Sequence, residues 1–110
     1  MKLKVNVTLT GLHILMRPVL REAERIWKEY GHADSGVTIT EALGGEHSAT
    51  SWHYYGLALD MRTRYFSTEE LEKVEKEMKR ALPEYDVVVH SSHMHVEIGN
   101  VLAKRHGLLT

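Results

Sequence analysis

Apolar and polar residues alternate over the first nine positions of the chain, and this period of two predicts a half-buried β-strand. A different spacing follows Pro18, where apolar residues recur every three or four positions as far as Tyr30, as in an amphipathic helix. Proline suits the first turn of such a helix, and Gly31 suits its end. Residues 37–40 alternate again and predict a short second strand, and residues 41–50 predict a loop.

The second half of the chain continues this mixture of patterns. Residues 57–61 predict a buried strand directly after Gly56, where glycine permits a sharp turn. Ser67 and Glu70 have the spacing of a capping box, so a helix begins there. The apolar stripe behind the box predicts that this second helix runs to Pro83.

The last predicted elements are two strands, residues 85–89 and 93–98, that form a hairpin around a short turn. Residues 100–110 predict a short tail. The order is therefore strand, helix, two strands, helix, two strands. It predicts an α+β fold in which two main helices pack on a largely antiparallel sheet of four to five strands. The length suits a single domain over residues 1–110.

Composition excludes several classes of function. The formal net charge of −1 provides no basic field for nucleic acid or an anionic membrane. The chain has no cysteine, so a transition-metal site must use histidine, aspartate or glutamate. No apolar run approaches the ~20 residues of a membrane span, and the start of the chain lacks the apolar core of a signal peptide. Because no apolar stripe calls for a partner, we expect a monomer.

Five of the eight histidines lie between positions 47 and 95, and that segment carries the candidate chemistry. In the last predicted strand His93, His95 and Glu97 share one face, while the residues between them point into the core. Three ionisable groups on one face need solvent, a metal or partners, because burying them unpaired is costly. Asp60 can join them if its strand is adjacent, and His53 can close over the top.

This group of side chains predicts a zinc site on the sheet. A catalytic zinc has three protein ligands and an open position, whereas a structural zinc has four ligands. We take His53, Asp60 and His95 as the three ligands, with a water at the open position. His93 then lies beside the metal, where a histidine can accept a proton. The alternative is a metal-free domain whose histidines are packed or solvated.

Two motifs carry a resemblance to a known family. Ser51 to Asp60 reads S-x-H-x-x-G-x-A-x-D, and His93 and His95 form H-x-H. Over roughly residues 18–98 the sequence resembles zinc D-alanyl-D-alanine carboxypeptidases and phage endolysins, a group that includes lysostaphin-type enzymes and the hedgehog signalling domain. The resemblance implies a zinc metallopeptidase that hydrolyses an amide bond in peptidoglycan stem peptides. The bond cut would be the terminal one if the protein is a D-Ala-D-Ala carboxypeptidase, or one inside the stem if it is an endolysin-type endopeptidase.

Carried over residue by residue, the resemblance implies His53, Asp60 and His95 as zinc ligands. It implies Ser51 as a contact to substrate beside the metal. His93 matches the first histidine of H-x-H, which is assigned to catalysis in some branches.

The sequence departs from the family at the general base. Many members carry an acidic base three residues before the last zinc ligand, and here that position is Ser92. The base is therefore His93, or else Glu97 or Asp86 brought in by the fold.

A second departure concerns substrate binding. Many members carry an arginine upstream of the motif serine, where this chain has His47. His47 either takes that role or caps the loop. Arg62 is another candidate for a substrate carboxylate, since arginine pairs bidentately with carboxylates. An ion pair with a neighbouring acid is its alternative role.

The expected setting is that of a phage lysis enzyme, which stays in the cytoplasm until release or travels in a virion. The alternative function is a non-catalytic zinc-containing binding or assembly module, since the hedgehog branch keeps the fold without implying peptidase activity. Ser92 favours this alternative, and His93 favours the enzyme.

Overall fold

A computed structural model of the protein describes residues 1–30, 36–43 and 51–109, apart from the side chain of Tyr54. The strands are β1 (Lys2–Leu3), β2 (Thr38–Glu41), β3 (Ala58–Arg62), β4 (Tyr85–Val89) and β5 (His93–Ile98). The α-helices are α1 (Arg17–Glu29), α2 (Thr68–Ala81) and α3 (Asn100–Arg105). Two 3-10 helices cover Ile14–Met16 and Trp52–Tyr55.

The five strands form one sheet in the order β1-β2-β3-β5-β4. β1 pairs with β2 in parallel, and every other pairing is antiparallel. The hairpin of β4 and β5 and the two main helices lie where the hydrophobic pattern predicts them. The predicted α+β architecture is confirmed.

The core lies between one face of the sheet and helices α1 and α2. The helices bury their apolar stripes, because apolar area removed from water is the main favourable term in folding. Trp27 of α1 is fully buried, packs edge-on against Phe66 at 5.6 Å between ring centroids, and donates its indole N–H to the Arg62 carbonyl at 3.0 Å. The sheet contributes the fully buried side chains of Ile39, Leu59, Met61, Met94 and Val96. This packing fixes which face of β3 and β5 remains for chemistry.

The ends of the two main helices follow their local sequence. Ser67 accepts a hydrogen bond from the Glu70 N–H at 3.1 Å, and Glu70 accepts one from the Ser67 N–H at 2.9 Å, so the predicted capping box is present. Pro18 lies in the first turn of α1. That helix ends at Glu29, and the predicted stop at Gly31 lies outside the described residues.

The first strand is much shorter than the alternation predicts, since it covers only Lys2–Leu3. The Val7 N–H turns back to the Lys4 carbonyl at 2.9 Å, and Asn6 adopts a left-handed φ of 71°. Asparagine tolerates this conformation better than most residues. The turn leaves Val5 exposed, so the alternating pattern there does not correspond to a paired strand.

Two further regions complete the described chain. The predicted tail contains α3, which packs Leu102 and Ala103 against Leu57 and Ile98 in a second small core. The predicted loop is partly strand, since Glu41 belongs to β2, and residues 44–50 lie outside the described part. None of the described helices has the length and apolar character that crossing a membrane requires.

Candidate metal centre

The register between β3 and β5 brings the charged side chains of the two strands together. Asp60 lies opposite His95, and Arg62 lies opposite His93. Directly opposed residues project to the same face of a sheet. Because Met61 and Met94 fill the helix side, the acid and the histidines lie on the face away from α1 and α2.

His53 reaches this face from the 3-10 helix Trp52–Tyr55. Ser51 caps that helix by accepting a hydrogen bond from the His53 N–H at 3.2 Å. Gly56 ends it with a φ of 70°, and a Cβ there would lie 2.4 Å from the Gly11 carbonyl oxygen. The position therefore requires glycine for both its conformation and its close approach to the N-terminal segment. The tight turn holds His53 over β3, where it is 2 % exposed.

Three potential ligand atoms converge at this point. His53 Nε2 lies 3.3 Å from both Asp60 Oδ1 and His95 Nδ1, and His95 Nδ1 lies 2.8 Å from Asp60 Oδ1. Ligand atoms bound about 2.0–2.1 Å from a tetrahedral zinc are roughly 3.3–3.4 Å apart. The two distances from His53 Nε2 have this value, whereas the 2.8 Å between His95 Nδ1 and Asp60 Oδ1 is the length of a hydrogen bond. The buried group of His53, Asp60 and His95 could hold a metal ion.

Hydrogen bonds on the far side of each ring determine which nitrogen faces the centre. His53 Nδ1 lies 2.6 Å from the Ala42 carbonyl oxygen, which can only accept, so that nitrogen carries a proton. His95 Nε2 lies 2.7 Å from Glu97 Oε1, which likewise accepts. In the neutral rings, His53 Nε2 and His95 Nδ1 therefore direct lone pairs at Asp60. Such outer hydrogen bonds are the usual support of metal-binding histidines.

Three acceptors at these separations repel one another unless a cation lies among them. Burial tends to raise the pKa of Asp60, but the hydrogen bonds and charges of His53 and His95 outweigh it and lower that pKa. The hydrogen bond with Asp60 raises the pKa of His95 against the effect of burial, and the bond with Glu97 adds to the rise. The site therefore favours a proton on His95 more than a free histidine would, and a metal ion would compete with that proton.

The site opens toward His93. Its side chain is 35 % exposed, against 9 % for Asp60, and its Nε2 lies 3.9 Å from Asp60 Oδ2. The other oxygen of Asp60, Oδ1, is the one that faces His53 Nε2 and His95 Nδ1. His93 also packs against His90, with 4.9 Å between the ring centroids. A ligand that reaches the three converging atoms would therefore pass His93.

A cleft of about 330 Å³ begins at this opening. Its described lining includes Asp60 and His93. The remaining described lining residues are Lys4, Thr40, Glu41, Arg62, Arg64 and Ser92. The cleft is polar and carries several cations, which gives the site a charged approach.

The other residues predicted for the site lie at different places around it. Glu97 supports His95 from behind, and Ser51 caps the helix of His53. Asp86 lies on β4 opposite Glu97. Arg62 lines the cleft, and His47 lies outside the described residues. The roles assigned to these residues in substrate binding and base catalysis stay predictions.

Three groups that contribute to the site were not predicted from the sequence. The Ala42 carbonyl is a backbone group, so no residue type could have indicated it. Lys4 and Arg64 come from separated segments that meet only because β1 pairs with β2 and β2 pairs with β3. For Arg64 the available signal was its position two residues after Arg62, although β3 ends at Arg62 and Arg64 lies in the turn that follows.

Comparison of the chain with protein-family models, with curated proteins and with solved structures found no match. The case for a function therefore rests on the two motifs and on the geometry of the site.

Proposed function

We propose that this protein is a zinc metallopeptidase that hydrolyses an amide bond in peptidoglycan stem peptides. The observation that carries the proposal is the convergence of His53 Nε2, Asp60 Oδ1 and His95 Nδ1, each within 3.3 Å of the other two. When both rings are neutral, their outer hydrogen bonds orient them so that each presents a lone pair to the same point. The resemblance of the two motifs to D-alanyl-D-alanine carboxypeptidases and endolysins supplies the substrate class.

The donor set favours zinc. Two imidazole nitrogens and one carboxylate oxygen are a common zinc ligand set, and three protein ligands leave the open position of a catalytic site. When bound, zinc would supply a Lewis acid for the scissile carbonyl and would make a water molecule acidic near neutral pH. The roles of His53, Asp60 and His95 are to hold the ion and to leave its side toward His93 accessible.

His93 is the proposed general base. Its Nε2 lies on the open side of the site, 3.9 Å from Asp60 Oδ2, so it can reach a water placed between the ligand atoms and the cleft. Hydrolysis forms a C–O bond and breaks the C–N bond, and a proton from the water must end on the leaving amine. A histidine can accept that proton and return it at neutral pH.

The two acidic residues that could act as the base instead are less favourably placed to accept this proton. Glu97 Oε1 is bound to the far nitrogen of His95, so the ligand ring separates it from the open position. Asp86 lies one strand further out, on β4 opposite Glu97. These placements support His93 over both carboxylates as the base.

A second candidate function is a zinc-containing binding or assembly module without turnover. The feature that favours it is Ser92, which is exposed beside His93 where many related enzymes carry an acid. In that case the site would bind metal in the same way, and the cleft would hold a ligand without cleaving it.

Mass spectrometry of purified peptidoglycan and defined muropeptides, incubated with zinc-loaded protein, tests the proposal. The proposal predicts cleavage that a chelator stops. Loss of a terminal alanine would identify a carboxypeptidase, and a cut inside the stem would identify an endopeptidase. Zinc binding without cleavage of any wall type would refute the peptidase and support the binding module.

A further inference from the structure

The two edges of the sheet differ in their protection against pairing with another strand. Proteins commonly protect a sheet edge with a very short strand, with lysine or with proline. β1 has only two residues, and one of them is Lys2. β4 has five residues, Tyr85–Val89, which include three consecutive valines and neither lysine nor proline. Among the described strands β4 has a neighbour on one side only, so its outer edge can accept another strand.

The outward-facing backbone groups of β4 belong to Val87 and Val89. The His90 N–H donates to the His93 carbonyl of the neighbouring strand at 2.9 Å. In an antiparallel pair, alternate residues direct both backbone groups at the partner strand. The residues at positions 86, 88 and 90 therefore bond to β5, and Val87 and Val89 direct their N–H and C=O groups away from it.

A groove of about 570 Å³ follows this edge. Lys79 of α2 and Val87 line it from the helix side, and Asp86, Val88 and Glu97 line it from the face of the candidate metal centre. Because residues of both faces line the groove, the edge between them is accessible. Val88 is among the exposed large apolar residues.

The sequence of β4 is complementary to itself when it is read in the opposite direction. If two copies pair antiparallel with Val88 opposite its own symmetry copy, Val87 lies opposite Val89 and Asp86 lies opposite His90. The two pairs of Val87 with Val89 would exchange four backbone hydrogen bonds. We propose that β4 pairs in this register with β4 of a second copy of the chain, which makes the protein a two-fold symmetric dimer.

Neighbouring registers lose this complementarity. A register centred on Val87 places Asp86 opposite Val88, and one centred on Val89 places Val88 opposite His90. A register centred on Asp86 or on His90 places like side chains opposite each other. The register centred on Val88 pairs an acid with an imidazole twice in each dimer, and opposite charges across a strand pair are stabilising.

The proposed association uses a surface that the search for apolar stripes does not detect. The expectation of a monomer rests on the absence of such a stripe, whereas a strand edge binds mainly through its backbone groups. The contact is confined to one strand of each copy, so it belongs with the smaller, weaker class of interfaces. The dimer should therefore depend on protein concentration.

The dimer would join the two five-stranded sheets into one, with both candidate metal centres on the same face. Directly opposed residues project to one face, and Val88 lies opposite His95 of its own chain. His95, Val88 and their symmetry copies would form one row across the four central strands. Three strand spacings of about 4.8 Å would separate the two His95 residues, about 14 Å in all. The proposal depends neither on bound metal nor on the peptidase reaction.

A single introduced cysteine tests the register, because the chain has no cysteine of its own. In the proposed dimer the two Val88 Cα atoms are about 4.5 Å apart, within the range of about 4.4–6.8 Å that disulfides need. With oxidised glutathione, Val88→Cys should form a covalent dimer on a non-reducing gel. Val101→Cys, at the more exposed Val101 of α3, is the matched control and should stay monomeric. Equal cross-linking of both variants, or none in Val88→Cys, would overturn the register.

Sedimentation velocity on the full chain tests the association itself, over protein concentrations from about 1 μM to 1 mM. We expect a reversible dimer whose dissociation constant rises about tenfold or more in Val88→Lys, because two ammonium groups would then lie opposite each other. Val101→Lys adds the same charge on α3 and should leave the constant unchanged. A monomer at every concentration, species larger than a dimer, or equal effects of the two substitutions would overturn the proposal.

Replacement and exchange of the paired charges test the contact between Asp86 and His90. His90→Asp places two acids opposite each other, twice in each dimer, and should weaken association about tenfold. Adding Asp86→His to this variant again places an acid opposite an imidazole and should recover most of the loss. Thermal unfolding would check that both variants fold. If the double variant associates no more tightly than His90→Asp, the two residues do not pair and the proposed register is wrong.

Discussion

His95 Nε2 lies 2.7 Å from Glu97 Oε1, two residues further along the same strand, while the opposite ring nitrogen lies 2.8 Å from Asp60 Oδ1. Glu97 therefore fixes the tautomer and direction of a candidate ligand. Glu97→Ala should lower zinc affinity about 10- to 100-fold, the usual effect of removing such an outer partner. Glu97→Gln should lose less, because its amide oxygen can still accept the hydrogen bond. Competition with a chromophoric chelator measures both.

Asp86→Asn is the matched control for these variants. It removes a carboxylate from the neighbouring strand, directly opposite Glu97, without touching the bond to His95. We expect its zinc affinity to equal that of the wild type. Wild-type affinity in Glu97→Ala, or an equal loss in Asp86→Asn, would contradict the supporting role of Glu97.

Zinc affinity should depend on pH through His95. The bond with Asp60 raises the pKa of His95 above its ordinary value of 6.5, so zinc competes with a proton that the metal-free site binds more tightly than a free histidine does. Affinity should therefore fall as the pH decreases, by up to about tenfold per unit for one displaced proton. Calorimetry in buffers of different ionisation enthalpy counts the protons released. An affinity that is constant from pH 5.5 to 8 would contradict this coupling.

His95 should also make the stability of the metal-free protein depend on pH, but in the direction opposite to that of zinc affinity. Because the folded pKa of His95 is raised, its contribution is fully present below pH 6.5 and is lost as the pH rises through the folded value. Bound zinc would stabilise the folded state by an amount that grows with the logarithm of its affinity, and we expect this affinity to increase with pH. The increase in Tm on adding zinc should therefore grow from pH 6 to pH 8 in thermal unfolding. A shift that shrinks over this range would count against the assignment.

Gly56 should be sensitive to substitution, because it combines a positive φ with a close contact to backbone. Gly56→Ala places a methyl group 2.4 Å from the Gly11 carbonyl oxygen and also strains a φ of 70°. Gly107→Ala is the control, because its φ is 72° but nothing lies within 4 Å of the added carbon. We expect the control to lose about 1–2 kcal/mol of unfolding free energy from backbone strain alone. Gly56→Ala should lose a further ~1–3 kcal/mol from overpacking, measured by urea unfolding. Equal losses would show that the close approach does not matter.

Substitution of His93 should separate metal binding from turnover. His93→Ala should keep one zinc per chain, because its ring is not among the three converging groups, and should lose about 100-fold or more in kcat. His106→Ala, an exposed histidine at the end of α3, should keep both properties. A near wild-type rate in His93→Ala would remove it as the base and make Glu97 the next candidate.

The sequence predicts the site well where local pattern determines geometry. The alternation in β5 correctly predicts that His93, His95 and Glu97 share the face opposite the core, because a strand alternates its side chains regardless of its neighbours. The register that sets Asp60 against His95 depends on how two distant strands pair. From the sequence alone, pairing of these two strands is only a condition for the site, and the structure is needed to establish it.

The same limitation explains the prediction that was wrong at the N-terminus. Alternation from Lys2 to Leu9 is a local signal, whereas a strand also needs a partner along its whole length. β2 offers that partner only to Lys2–Leu3, and Asn6 then turns the chain away. The pairing of β1 with β2 brings Lys4 to the cleft, which no periodic pattern indicates.

Zinc stoichiometry by native mass spectrometry, on wild type and single ligand variants, tests the central claim most directly. We predict one zinc per wild-type chain, none retained by His53→Ala, Asp60→Ala or His95→Ala, and one retained by His93→Ala. Wild-type protein that binds no zinc, or a His95→Ala variant that still holds one, would contradict the assignment of the three converging residues as a metal centre.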